Sequence, residues 1–169
     1  MTQLTFKSDN DLISSMSDRY TLFKSLDGPH KRGQVAEAII KSELLLRDIP
    51  ISIPEYDNEP YDFIVQVSDS FYRIQAKTAH QNSEGTVRFE SLRTVKQAKG
   101  YRRRGYSDEI DLFAVYNPIL DEIYLIPIEE SAKGKMEIRY KKPLNNQQVG
   151  VNWHSDFLLD QQLEVLRTN

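Results

Sequence analysis

Between positions 62 and 77 stand three residue types that together suit the hydrolysis of a phosphate diester: Asp62 in Pro60-Tyr61-Asp62, and Gln75 and Lys77 in Gln75-Ala76-Lys77. A carboxylate and an amide oxygen are hard ligands suited to Mg²⁺. Such a cation polarises a phosphate and lowers the pKa of a bound water. A neighbouring ammonium can orient that water or stabilise the charge that develops on the phosphoryl group. Glu37, on the preceding helical segment, offers a second carboxylate to the metal environment. Each residue also has a purely structural reading. Asp62 with Lys77 would make a cross-strand ion pair worth only ~0.2–1 kcal/mol, and Glu37 stands four residues before Lys41, as in an ordinary helix-surface pair.

Strands must bring these groups together. Tyr61–Val67 alternates in polarity and is rich in β-formers, Ser68-Asp69-Ser70 reads as a turn, and Phe71–Ala79 reads as a second strand. Side chains alternate faces along a strand, so Gln75 and Lys77 share one. A two-residue turn at Ser68-Asp69 sets Asp62 opposite Gln75; one at Asp69-Ser70 sets it opposite Lys77. Either register puts all three on one face at one end of the hairpin.

Around this hairpin the sequence predicts a helix over 9–27, with Asp9 or Asn10 as cap and Gly28-Pro29 as its end. A second helix is expected from about Gln34 to Arg47, with apolar residues nearly all round it and hence packing on more than one side. Residues 48–60 read as an irregular or short extended connection. Further on, Thr86–Phe89 reads as a short strand, 90–104 as a helix running into a basic stretch, and Ile110–Asn117 as a strongly apolar segment. Glu122–Ile128 reads as a strand, Lys135–Tyr140 as an edge strand stopped before Pro143, and Phe157–Arg167 as a closing helix. The order implies an α/β fold with a mixed sheet.

Composition narrows the function. The chain has 169 residues, enough for one domain with a real core. It has no cysteine, which removes disulfide frameworks, thiolate metal sites and cysteine nucleophiles. No window reaches the ~20 apolar residues of a membrane span. The first thirty residues lack the apolar core of a secretion signal, so a cytoplasmic location is expected. His30, His80 and His154 are scattered, and no Gly-x-Ser-x-Gly elbow, His-Glu-x-x-His helix or phosphate-binding loop is present. From Tyr72 to Arg104 nine basic residues face only Glu84 and Glu90, a local balance of +7. With a net charge of −3, the remainder carries −10. A focused positive zone on an otherwise acidic chain suits a polyanion. Lys96, Lys99, Arg102, Arg103 and Arg104 are the candidates to track phosphates, with Tyr101 and Tyr106 among them. Arg88, Arg93 and Asn145 to Gln148 are candidates to reach base edges.

The order Lys31-Arg32-Gly33, Ala36-Glu37, Tyr61-Asp62 and Gln75-x-Lys77 resembles the PD-(D/E)XK nuclease superfamily. The similarity is closer to the group I intron-associated, homing-endonuclease-like branch, in which a glutamine stands at the usual acidic position, as Gln75 does here. Asp111-Leu112-Phe113-Ala114-Val115-Tyr116-Asn117, Tyr124-Leu125-Ile126-Pro127, and Arg139 followed by Asn145-Asn146-Gln147 extend the likeness from about Pro29 to about Asp160. The resemblance implies a restriction-endonuclease-like core, a mixed central sheet flanked by helices, over 29–169, after an N-terminal helical extension at 1–28. It implies a metal-dependent DNA endonuclease using Mg²⁺, or Mn²⁺ in its place. Asp62 would be the main metal ligand, Gln75 the second, Lys77 the catalytic lysine and Glu37 the helix-borne acid. Gln75 carries one negative charge fewer than the superfamily's usual residue, which weakens metal binding. Cutting both strands of duplex DNA takes two sites, so a homodimer or homotetramer is expected. A junction-cleaving nuclease of the Holliday-junction-resolvase kind and a catalytically inactive DNA-binding or assembly module are the alternatives.

Overall fold

The computed structural model describes residues 18–56, 58–142 and 149–168. Most of the expected first helix (9–17) and the candidate base readers Asn145 to Gln148 lie outside the described residues. Residues 18–25 are helical. They lead into α1 (Gly28–Leu46), β1 (Ile51–Ser52), β2 (Phe63–Val67), β3 (Ser70–Thr78), β4 (His80–Ser83), β5 (Thr86–Glu90), β6 (Arg93–Gln97) and β7 (Gly100–Arg104). Then come β8 (Leu112–Asn117), β9 (Glu122–Pro127), a short 3₁₀ turn, β10 (Lys135–Arg139), a second 3₁₀ turn (His154–Phe157) and α2 (Leu159–Thr168).

The central sheet has the order β1-β2-β3-β8-β9, with β3 and β8 parallel and the other neighbours antiparallel. Strand alternation splits its side chains between two cores. Phe63, Ile74, Leu112 and Ala114 meet Ala36, Ile40 and Leu44 of α1 and Leu163 of α2. Phe113, Val115, Tyr124 and Ile126 meet Val87, Phe89, Met136 and Ile138 of a three-stranded sheet ordered β10-β5-β4. The fold is therefore α/β with a mixed central sheet, as expected, and its helices cover one face while the small antiparallel sheet covers the other. All six residues of β8 are buried, which explains why its sequence runs apolar without alternating. Among the described residues no helix is long and apolar enough to cross a membrane.

Three expectations change. Residues 93–104 form the β6–β7 ribbon, with Arg93 opposite Arg104 and Lys96 opposite Tyr101. Leu92, Val95 and Ala98 have helical spacing, but no core lies opposite them. Gly100, at φ 122°, makes a tight turn that a helix cannot contain. The second helix starts six residues earlier than expected, because a proline in the first turn has no intrahelical N–H to lose. It packs on one side only: Ala36, Ile40 and Leu44 are buried while Leu45 and Leu46 stay exposed. Ahead of it, Phe23 is buried with its ring edge-on to Tyr116 at 5.5 Å, and Arg19 pairs with Asp121 at 2.6 Å.

The parallel β3–β8 pair has no hairpin to set its register. Arg73 and Asp111 do so at its start. The Arg73 N–H donates to Asp111 Oδ2 (2.7 Å), and the Asp111 N–H donates to the Arg73 carbonyl (2.9 Å). The guanidinium adds Nε to Oδ2 (3.1 Å) and Nη2 to Oδ1 (2.9 Å), while Nη1 reaches the Asp108 carbonyl (2.8 Å). The Arg73 side-chain hydrogen bonds hold the Asp111 carboxyl below the usual carboxylate range. A depressed folded-state pKa gives stability that is present above the unfolded value of about 4 and is lost as pH falls through the folded one. Asp111→Asn is therefore expected to lower stability at pH 7 by about 1–2 kcal/mol. Denaturant melts should show this gap closing below pH 4; a constant gap would mean that the carboxylate charge is not what clamps the strands.

Candidate active site

Val67 pairs with Ser70 across a two-residue turn at Ser68-Asp69, so the register is the one that sets Asp62 opposite Gln75. β2 has five residues and β3 has nine. Asp62 adds one more backbone rung, its N–H donating to the Ile74 carbonyl at 2.8 Å. Beyond that rung β3 has no backbone partner on this side, and the Ala76 N–H would be left open. The Asp62 side chain takes it: Oδ2 accepts from Ala76 N at 2.7 Å and also from the Gln75 amide Nε2. Oδ1 accepts no hydrogen bond among the described residues.

Burial raises the Asp62 carboxyl to about 6; the nearby Glu37 adds to the rise, while the Ala76 N–H, Lys77 and Lys41 oppose it. Glu37 itself is engaged by Lys41 Nζ at 2.9 Å. Gln75 and Lys77 pair with Phe113 and Val115 of β8 and project toward the small sheet. Lys77 Nζ donates to the Tyr106 hydroxyl at 2.9 Å and has no carboxylate within ion-pair distance among the described residues. Burial lowers the Lys77 ammonium to about 8, against the pull of Asp62 and Glu90; Arg103 lowers it further.

The structure thus brings Asp62, Gln75 and Lys77 to one end of the β2–β3 pair and leaves Glu37 beside them, tied to Lys41. The donors are all oxygens, two carboxylates and an amide, which is the chemistry of a hard divalent cation. No group of three or more acidic or histidine side chains stands close enough to hold a metal ion among the described residues. A cation here would share this mixed set with water, as Mg²⁺ does. The half-free, charge-disfavoured Asp62 carboxylate is the group that such a cation would relieve. Gln75 at present gives Asp62 its amide nitrogen; rotation of the amide presents the oxygen instead.

The five proposed phosphate contacts fall into two kinds. Lys96, Lys99 and Arg102 lie exposed toward the far end of the ribbon and have no carboxylate partner among the described residues. Arg103 is bound to Glu90, and Arg104 pairs with Glu109 at 3.2 Å, as Arg93 does at 2.7 Å. Arg88 stands exposed on β5. Sequence reasoning missed Tyr106 as the partner of Lys77. Its one signal was an aromatic residue in a polar stretch, and that does not say where the hydroxyl points.

An acid, an amide and a lysine thus stand on adjoining strands of a three-layer α/β domain. The sequence profile of the PD-(D/E)XK endonuclease family matches residues 28–160, and the chain belongs to this family. Its fold is similar to that of a bacterial homing endonuclease, I-Ssp6803I, with a TM-score of 0.67 at 15% identity over 83% of this chain and 95% of that one. No curated protein matches the chain.

Tyr106→Phe removes the acceptor that steadies the Lys77 ammonium in its buried place. The Lys77 pKa, followed by NMR of its ε-methylene, is expected to fall by up to about one unit, since such a bond contributes about 1 kcal/mol. An unchanged titration would mean that the hydroxyl does not hold the amine.

Proposed function

We propose that the protein is a Mg²⁺-dependent endonuclease that hydrolyses phosphodiester bonds of duplex DNA at specific sites, in the cytoplasm at the nucleoid, as a homodimer or homotetramer. Family membership supports the endonuclease activity. The homing endonuclease among its structural neighbours makes site-specific DNA the favoured substrate. The observation that carries the reading is the convergence of Asp62, Gln75 and Lys77, with an oxygen of Asp62 left open.

Asp62, Gln75 and Glu37 would hold the ion, with Mn²⁺ able to replace Mg²⁺. When bound, it supplies Lewis-acid polarisation of the phosphate and acidifies a water. The protein's own groups do the rest. The Ala76 N–H fixes the Asp62 carboxylate at the strand end. With a pKa of about 8, Lys77 is about nine-tenths protonated at neutral pH. One of its N–H bonds goes to Tyr106. The remaining two are directed to the substrate, where they stabilise the charge that builds on the phosphoryl oxygens as water oxygen bonds to phosphorus and the ester P–O bond breaks. Packing between the two sheets excludes water from the lysine's stem and strengthens that interaction.

Lys77→Ala should reduce DNA cleavage by at least about 10²–10³-fold, while duplex affinity stays within about threefold. Asp62→Asn keeps the acceptor for Ala76 and loses the charge, so Mg²⁺-dependent cleavage should disappear with the fold intact by circular dichroism. Equal cleavage by either variant would remove that residue from the chemistry. Faster cutting of four-way junctions than of linear duplex would favour the junction-cleaving alternative. Salt-sensitive binding without any Mg²⁺-dependent cleavage would favour the inactive module.

The ribbon makes a separate prediction. Replacing Lys96, Lys99 and Arg102 with Gln should flatten the salt dependence of duplex binding by nearly three in log–log slope, because three unpaired cations each meet one phosphate. Replacing Arg103 and Arg104 should change the slope less, since both already spend their charge on carboxylates of the protein. Fluorescence anisotropy across a KCl series distinguishes the two sets.

A further inference from the structure

A second basic feature includes Lys77 and leaves Asp62 outside its lining. A cleft of about 490 Å³ runs from the first turns of α1 to β4 and β5, with Lys77 in its wall. Arg32 comes from α1, His80 from β4, and Arg88 and Glu90 from β5. Arg88 stands directly opposite His80 in the strand register. Glu90, the one acidic residue of the lining, is already bound by Arg103 and lies 3.8 Å from Lys135. Arg32 gives its Nε–H to the Leu26 carbonyl at 3.3 Å, which aims the guanidinium without neutralising it. Neither Arg32 nor Arg88 has a carboxylate partner among the described residues. Both guanidinium groups act on the same imidazole: burial and then Arg32 and Arg88 hold His80 below its ordinary range.

Two arginines without carboxylate partners among the described residues line one cleft, and their positive potential there favours an anion. The planar donor forks of arginine match the oxygens of a phosphate. Lys77 lines the same cleft as the two arginines. We propose that this cleft is a phosphate subsite in which Arg32 and Arg88 grip the DNA backbone phosphate next to the scissile one and so fix the cut strand against Lys77. The proposal rests on the nuclease reading of the Lys77 site and adds to it two positioning residues. The β6–β7 ribbon then supplies affinity at a distance, and the cleft supplies alignment at the bond that breaks.

The test uses the full chain and a fluorescein-labelled 30-base-pair duplex. Affinity is measured by anisotropy across a KCl series without divalent metal, and cleavage with Mg²⁺ under saturating DNA. Arg32→Gln with Arg88→Gln is expected to lower the log–log salt slope by about 1–2. It should also reduce the cleavage rate at saturating DNA at least tenfold, a change in kcat that simple loss of attraction would not give. Arg32→Lys with Arg88→Lys should restore the slope and only part of the rate, because the charge returns without the fork. Arg88→Gln alone, at an exposed position, is the variant to read if loss of the Leu26 contact unfolds the pair; its slope should fall by about one. Wild-type slope and wild-type kcat in the Gln variants would overturn the subsite and leave the nuclease reading standing. A wild-type chain that neither binds nor cuts duplex DNA would overturn both.

Discussion

The site depends on one unequal pair of strands. β2 stops while β3 runs on, and the backbone N–H of Ala76 is left at the edge of the mismatch. Asp62 turns back to accept it. This hydrogen bond fixes a carboxylate at the end of a sheet, partly out of water, with one oxygen engaged and the other without a partner among the described residues. The same contact places Gln75 against the acid and turns Lys77, two residues along, into the gap between the sheets. In the proposed reading a structural cap and a metal ligand are one side chain, so the electrostatic discomfort of the half-buried acid is a feature that the backbone itself enforces.

That end of β3 is held in turn from β8. The two central strands are parallel and far apart in sequence, so no turn sets their register. The Arg73–Asp111 clamp does so through backbone and side chain at once. It aligns Gln75 with Phe113 and Lys77 with Val115. From there the second core takes over: Tyr106 lies edge-on to Phe113 at 5.4 Å and offers its hydroxyl to Lys77. Register, aromatic packing and the placement of the ammonium are consequences of the same pairing.

Charge is distributed in the same economical way. The basic stretch reads in sequence as one block; in space Arg73 is taken by Asp111 and Lys77 stands in the site, and the other seven separate into three groups. Arg93, Arg103 and Arg104 tie the ribbon to Glu109 and Glu90. Lys96, Lys99 and Arg102 project without carboxylate partners among the described residues. Arg88 instead lines a cleft with Lys77 and with Arg32, which stands on a helix 56 residues earlier in the chain. Unneutralised cations, rather than cations as such, mark where a polyanion would be welcome.

The sequence by itself determined the α/β class, the β2–β3 hairpin and the sharing of a face by Gln75 and Lys77. These follow from local rules: turn residues, alternation with period two and the pattern of apolar runs. It left two registers open for Asp62, and the turn at Ser68-Asp69 chose one. It misjudged 93–104, where helical spacing of a few apolar residues competes with strand pairing and only the absence of a facing core decides. It also could not show that the Lys77 amine meets Tyr106, that Arg103 and Arg104 are already paired, or that Arg32 comes to stand near Arg88. Those facts depend on how separate segments, near or far in the chain, come together in space. Their energies depend on burial and on which charges are left without a partner, and these are properties of the packed structure alone.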